Sequence, residues 1–307
     1  LIEPLIPETK EVIVPTNTSA DTPLAVLHSG NKIVFSDCDE TLCLNPNLID
    51  EKITSKTKAV IIVHIGGIIH PKIEEIKNIC MDNNVFLIED AAHAHGSKLN
   101  EKKAGTFGEA ASFSFYPTKV ITSAEGGMIV TNNKEINEKA RSLRDRGKSD
   151  FLSSTSSELG SSWRMSEIHA ILGLSQFSRL DEFIKKRREI ASQYNRKLKD
   201  LSGIIPLKIE STSNYYKYIA ILDKDISREK LKEGLKRLGV NLSGEVYSTP
   251  CHLQQVFKDF KKGNFPIAED LCNRQICLPI FPTMKKKEVD YVTSSIKKVL
   301  GESIWIF

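Results

Sequence analysis

The sequence predicts an α/β protein, with a mainly parallel sheet sandwiched between helices and a smaller α+β region at its C-terminal end. Three observations lead to this. Short, continuous apolar runs recur through the first two-thirds of the chain, as expected for strands buried on both faces. Segments of helical periodicity separate them, as crossovers between parallel strands require. Beyond about residue 200 the alternation stops, and amphipathic helices surround a lone strand-like run.

In chain order, Glu11 to Pro15 (EVIVP) reads as a buried strand, Thr22 to Ser29 as a short helix and Lys32 to Ser36 (KIVFS) as the next strand. Lys58 to Val63 is a β-branched run. Pro71 to Asn83 places Ile73, Ile76, Ile79 and Cys80 on one helical face. Val85 to Glu89, Ala111 to Phe115 and Gly127 to Thr131 read as strands, and Lys134 to Arg144 as a helix. Ser166 to about Asp200 reads as one long helix with a basic, solvated segment at Lys185 to Arg188. Tyr215 to Leu222 (YYKYIAIL) reads as a strand. Ser227 to Leu238 is a helix with Ser227 as N-cap and Gly239 past its end. Pro266 to Cys272 and Lys285 to Leu300 complete the helices.

The 307 residues suffice for a large domain over 1–200 and a small one over 201–307. The net charge of +4 is small and dispersed, so nucleic acid is not an expected partner. No apolar run reaches the roughly 18 residues of a membrane span, and no secretory signal is visible at the start. The six cysteines then read as free thiols, and the expected location is the cytoplasm.

In sheets of this kind, ligands bind beyond the carboxyl ends of the strands. Two clusters fall there. Strand Val85 to Glu89 runs into Asp90-Ala91-Ala92-His93-Ala94-His95-Gly96. Asp90 is either a loop-capping acid or the partner of a buried cation. His93 and His95 lack a third metal ligand nearby, so no metal site is expected. The second cluster, Ser112-Phe113-Ser114-Phe115-Tyr116-Pro117-Thr118-Lys119, ends in a lysine between two apolar strands. Lys119 is either an ordinary surface lysine or a partly desolvated one, made nucleophilic by a lowered pKa. A lysine for an aldehyde, an acid for a pyridinium nitrogen and a hydroxyl for a phosphate are what pyridoxal 5′-phosphate needs, and Lys119, Asp90 and Ser114 supply one of each.

Nine segments in order carry a family resemblance: EVIVPTNT (11–18), VHIGG (63–67), IEDAAHAHGS (88–97), GTFGEAASFSFYPTK (105–119), EGGMIVTN (125–132), SSWRMSEIHAILGLSQ (161–176), LDEFIKKRREIASQYNRKL (180–198), VYSTPCH (246–252) and CLPIFPTM (277–284). Together they resemble the DegT/DnrJ family of pyridoxal-phosphate-dependent aminotransferases, which have the aspartate aminotransferase-like, type I fold. The resemblance implies that Asp90 bonds the ring nitrogen, Ser114 contacts the phosphate and Lys119 forms the Schiff base and later moves the proton. It places His93 beside the ring, where many members have glutamine. Ser162 stands where an asparagine usually reaches the partner subunit's phosphate, and Ser19 where an aromatic often covers the ring. Tyr247 and His252 lie in a segment approaching the site from the small domain and are the candidate substrate contacts, and His252 reads equally as a packed loop histidine.

The family implies transfer of an amino group from glutamate to a keto group of a nucleotide-linked sugar, by a homodimer, for surface polysaccharide or amino-sugar synthesis. Family members that act as dehydratases have histidine at the lysine position, so Lys119 favours transamination over that alternative and leaves a carbocyclic substrate open. Members usually carry about forty to sixty further residues before the first strand, including a helix start that holds the phosphate. Against that pattern the chain reads as lacking this segment, and a catalytically impaired cofactor-binding homologue or regulator is the other expectation.

Overall fold

The computed structural model describes residues 10–303 apart from 151, 153 and 243. The expectation about the start of the chain bears on residues 1–9 and lies outside the described residues.

The first half contains β1 (Glu11–Pro15), α1 (Asp21–His28), β2 (Lys32–Ser36), the single turn α2 (Ile49–Lys52), β3 (Thr57–Val63), α3 (Ile73–Asp82) and β4 (Phe86–Asp90). A two-stranded ribbon, β5 (Lys98–Leu99) and β6 (Lys102–Lys103), precedes β7 (Ala110–Ser114), β8 (Gly127–Thr131) and α4 (Lys134–Arg144). The sheet order is β2-β1-β3-β4-β7-β8. All its pairings are parallel except β7 with β8, so the mainly parallel sheet read from the apolar runs is observed.

The two-residue period of the strands divides their side chains between two cores. Val12, Val14, Ile61, Val63 and Ile88 enter one. Ile13, Val60, Ile62 and Leu87 enter the other, against Ile73, Ile76 and Cys80 of α3. Each such burial contributes about 1.5–3 kcal/mol, and this two-sided demand is why the strand interiors are largely apolar.

The second half contains α5 (Glu167–Phe177), α6 (Leu180–Leu198), β9 (Ile204–Pro206), β10 (Tyr218–Leu222), α7 (Arg228–Arg237), α8 (Pro266–Arg274), β11 (Gln275–Leu278) and α9 (Lys286–Ser303). Strands β9 and β11 flank β10 in an antiparallel sheet. Its core takes Ile190, Tyr194 and Leu198 from α6, with Tyr218, Leu235 and Ile296. Asp37, just past β2, ties the halves together: its carboxylate accepts from the Ile267 and Ala268 amides at 3.0 and 2.8 Å, at the start of α8.

Three readings of the elements are corrected. The single helix expected from Ser166 to Asp200 is two, broken at Ser178 and Arg179. The break has no glycine or proline; it separates an outward-facing apolar helix from one that packs inward. The strand expected from Tyr215 starts at Tyr218, because Tyr215 has a left-handed φ of 49° and the Tyr216 amide donates to Asn214 Oδ1 at 2.8 Å, forming a turn. Strands β9 and β11 were not anticipated; they are short and are specified by pairing with β10.

Candidate active site

The carboxyl ends of β1, β3, β4 and β7 open at one edge of the sheet, and a cavity of about 340 Å³ lies there. Apolar residues Ile61, Val63 and Ile88 form its floor, and Asp90, His93, Ser114, Lys119 and Tyr247 line it. Five of the seven site residues named from the sequence are thus brought together. The chain brings them there by ending consecutive parallel strands at the same level.

Asp90 closes β4. Thr22 Oγ1 donates to its Oδ2 at 2.7 Å, and the Ala92 amide donates to Oδ1 at 3.1 Å. Because the Thr22 hydroxyl proton is used on Asp90, Thr18 Oγ1, 2.9 Å away, donates its own proton to Thr22. A three-member relay therefore runs from the loop after β1 to the end of β4. One residue earlier, fully buried Glu89 accepts from His64 Nε2 at 2.8 Å and from the Gly105, Phe107 and Gly108 amides at 2.6, 2.6 and 2.8 Å. Burial pushes its carboxyl up, but these donors outweigh burial and hold it below the ordinary carboxylate value. This buried anchor fixes the end of β4 from behind.

His93 is buried, and the Gly66 amide donates to its Nδ1 at 3.2 Å. The ring proton therefore sits on Nε2, which faces the Tyr247 hydroxyl at 3.4 Å. Burial, then the nearby Lys119, Lys217 and His95, hold the imidazole well below its usual value, so it is neutral. Asn214 Nδ2 donates to the His93 and His95 carbonyls at 2.8 and 2.9 Å and fixes this loop. His95 turns the other way, between Phe113 and Phe115, and burial pushes it down to about 4. The two histidines do not converge, and among the described residues no group of three or more His, Cys, Asp or Glu side chains is placed to hold a metal ion.

Lys119 is half-buried, with Nζ 5.2 Å from the centre of the Tyr216 ring. Burial lowers its pKa, opposed by Asp90 and Asp21 and assisted by Lys217. Tyr216 also packs on His93 at a tilt, ring centres 4.4 Å apart, and its hydroxyl bonds Thr118 Oγ1 at 3.0 Å. The site can therefore offer an amine of reduced basicity, a fixed carboxylate, a neutral imidazole and hydroxyls over an apolar floor.

Two named residues lie elsewhere. His252 is buried away from the cavity: Thr16 Oγ1 contacts its Nδ1 at 2.5 Å, Glu269 its Nε2 at 2.9 Å, and it packs on Phe265. The packed-histidine reading is the one its contacts match, because both ring nitrogens are taken by the protein. Ser162 is exposed, contacts Arg164 at 3.0 Å and does not line this chain's cavity. Sequence reasoning missed Thr18, Asp21 and Thr22, which line the cavity, and Tyr216 beside it. The repeated hydroxyls of Thr16-Asn17-Thr18-Ser19 after a strand end were the available signal; nothing in the sequence marked Tyr216.

The model of the DegT/DnrJ/EryC1/StrS aminotransferase family matches residues 4–297. The chain is 36% identical over 302 residues to GDP-perosamine synthase of Escherichia coli O157:H7, covering 97% of this chain and 81% of that protein. It is 38% identical over 318 residues to an uncharacterized protein of Methanocaldococcus jannaschii, covering 97% of this chain and 81% of that one. Among solved structures, the aminotransferase PseC of Helicobacter pylori, involved in the biosynthesis of pseudoaminic acid, superposes with a TM-score of 0.92 at 27% identity, covering 98% of this chain and 83% of that one. With its strand-end cavity and half-buried lysine, the chain belongs to the DegT/DnrJ/EryC1/StrS aminotransferase family and is a pyridoxal-phosphate-dependent aminotransferase.

Proposed function

We propose that this chain transfers an amino group from glutamate to a keto group of a nucleotide-linked sugar, in amino-sugar or surface-polysaccharide synthesis. The similarity to GDP-perosamine synthase supports that substrate class. The observation that carries the reading is the convergence of Lys119, Asp90 and Ser114 on one cavity.

The donor set fits the cofactor. Asp90, held by two donors, is an acceptor for a pyridinium N–H. Val63 and Ile88 suit a flat apolar ring, Ser114 a phosphate oxygen and neutral His93 a stacking face or an Nε2–H donor. Ser19 replaces an aromatic cover, and Tyr247 provides an aromatic wall beside it. Pyridoxal phosphate, when bound, supplies an aldehyde that captures amines and a ring that withdraws electrons from the neighbouring carbon. Lys119 is the amine that holds the aldehyde and, once released, accepts and returns a proton at Nζ. Burial reduces its basicity, which favours the uncharged, nucleophilic form. The Asp90 carboxylate favours the protonated ring, and burial keeps the Tyr247 phenol protonated as a donor beside His93.

The same reading makes the enzyme a homodimer. Helix α5 turns an apolar face outward, with Ile168, Ile171, Leu174 and Phe177 between 62% and 80% exposed, the kind of patch a partner covers. Ser162 precedes this helix and does not line its own chain's cavity, so its role is assigned to the partner's site. The large and small domains divide near residue 200, and the six buried free thiols suit a cytoplasmic enzyme. No helix among the described residues is long and apolar enough to cross a membrane.

The test is to load the purified chain with pyridoxal phosphate, reduce it with borohydride and map the adduct. Modification of Lys119, together with loss of the Schiff-base absorption on adding L-glutamate, is expected. No adduct, or one on another lysine, would overturn the assignment.

A further inference from the structure

Two lysines share one aromatic ring. Lys119 Nζ lies 5.2 Å and Lys217 Nζ 5.4 Å from the centre of Tyr216. The ring is held from three directions. Its hydroxyl bonds Thr118, its face packs on His93, and Arg187 donates to the Tyr215 and Tyr216 carbonyls at 3.1 and 3.4 Å. The Asn214 turn ends immediately before this segment, so Tyr216 and Lys217 are carried to the site together, with the Lys217 amide on the Gly66 carbonyl.

We propose that Lys217 is a positioning residue that acts electrostatically on Lys119, as a second cation beside the Tyr216 ring that both lysines approach. The proposal rests on the assignment of Lys119 as the reactive amine. A second cation close to a half-buried amine disfavours protonation of both. The groups facing Lys119 have opposing effects. Asp90 at the end of β4 and Asp21 at the start of α1 stabilise the ammonium, whereas burial and Lys217 disfavour it. His93 and His95 are neutral and Tyr216 is a protonated phenol, so none of these three carries charge in the working range. Burial lowers the pKa of Lys217 itself, opposed by Cys277 and Glu245 and assisted by Arg187. With two carboxylates pulling the other way, Lys217 is a cation that acts against them.

The experiment uses the intact chain freed of cofactor. Trace acetylation across pH 6–10, followed by mass spectrometry of the Lys119 peptide, gives the protonation midpoint of that amine without turnover. Lys217→Gln and Lys217→Met should each raise the midpoint by about half to one pH unit. Lys217→Arg, which keeps the charge, should leave it within about 0.2 units of the parent. Lys185→Gln, on the distant basic segment, should also leave it unchanged. Unchanged midpoints in both neutral variants would overturn the proposal, as would an Arg variant that shifts as far as they do. If one neutral variant does not fold, the other decides. Failure of the Lys119 assignment is read separately, by borohydride trapping, and the midpoint is measurable either way.

Discussion

Thr22 Oγ1 donates to Asp90 Oδ2 at 2.7 Å across 68 positions of sequence, joining the first helix to the end of the fourth strand. This contact fixes the carboxylate's rotation and leaves the Thr18 hydroxyl dependent on Thr22. Thr22→Val keeps the shape and removes the donor. Cofactor affinity should fall about ten- to thirtyfold, for a lost hydrogen bond to a charged group of about 1.5–2 kcal/mol. Thr22→Ser should retain most of the affinity. Fluorescence titration of the cofactor-free enzyme measures both, and equal affinities for the Val variant and the parent would remove Thr22 from the site.

His252 should matter to folding and not to chemistry. Both its nitrogens are engaged, by Thr16 and Glu269, and it does not line the cavity. His252→Phe should lower Tm by about 4–8 °C, for roughly 2 kcal/mol of lost buried hydrogen bonding. Its kcat/KM at a temperature where it is folded should stay within about twofold of the parent, below about 0.4 kcal/mol. A large fall in kcat with an unchanged Tm would restore the active-site reading.

His95 predicts a pH dependence of stability. Burial pushes its pKa from 6.5 to about 4. Between these values the unfolded chain binds a proton there that the folded chain does not. Stability is therefore whole above pH 6.5 and is lost as pH falls towards about 4, by up to about 3 kcal/mol. His95→Phe, between Phe113 and Phe115, should flatten that part of the curve. Urea denaturation at pH 7 and pH 4.5 on both proteins measures the difference, and identical slopes would show that His95 is not the group responsible.

The outward face of α5 predicts assembly. Ile171→Asp with Leu174→Asp should leave the fold intact, because both residues are more than 60% exposed, and should shift sedimentation from a dimer to a monomer. A double variant that remains dimeric would place the interface elsewhere.

The elements legible in the sequence were those whose burial pattern is local. Strands such as Glu11–Pro15 and Lys32–Ser36 are found with their expected bounds, because a strand buried on both faces must be apolar at nearly every position. Asp90, Ser114 and Lys119 were legible because they lie at or just beyond strand ends. The helix break at Ser178 was not legible, since no backbone-restricting residue marks it.

By itself, the sequence determined the α/β class, the strand ends where chemistry concentrates and the family to which their order belongs. Only the tertiary structure decided which side chains complete the site. Thr22, Tyr216 and Lys217 are brought to Asp90 and Lys119 by sheet order and by the Asn214 turn. It also kept His252 and Ser162 out of the cavity. The physical reason is range: periodicity records whether a residue is buried, whereas hydrogen bonds, ring contacts and charge–charge effects depend on neighbours tens to hundreds of positions away.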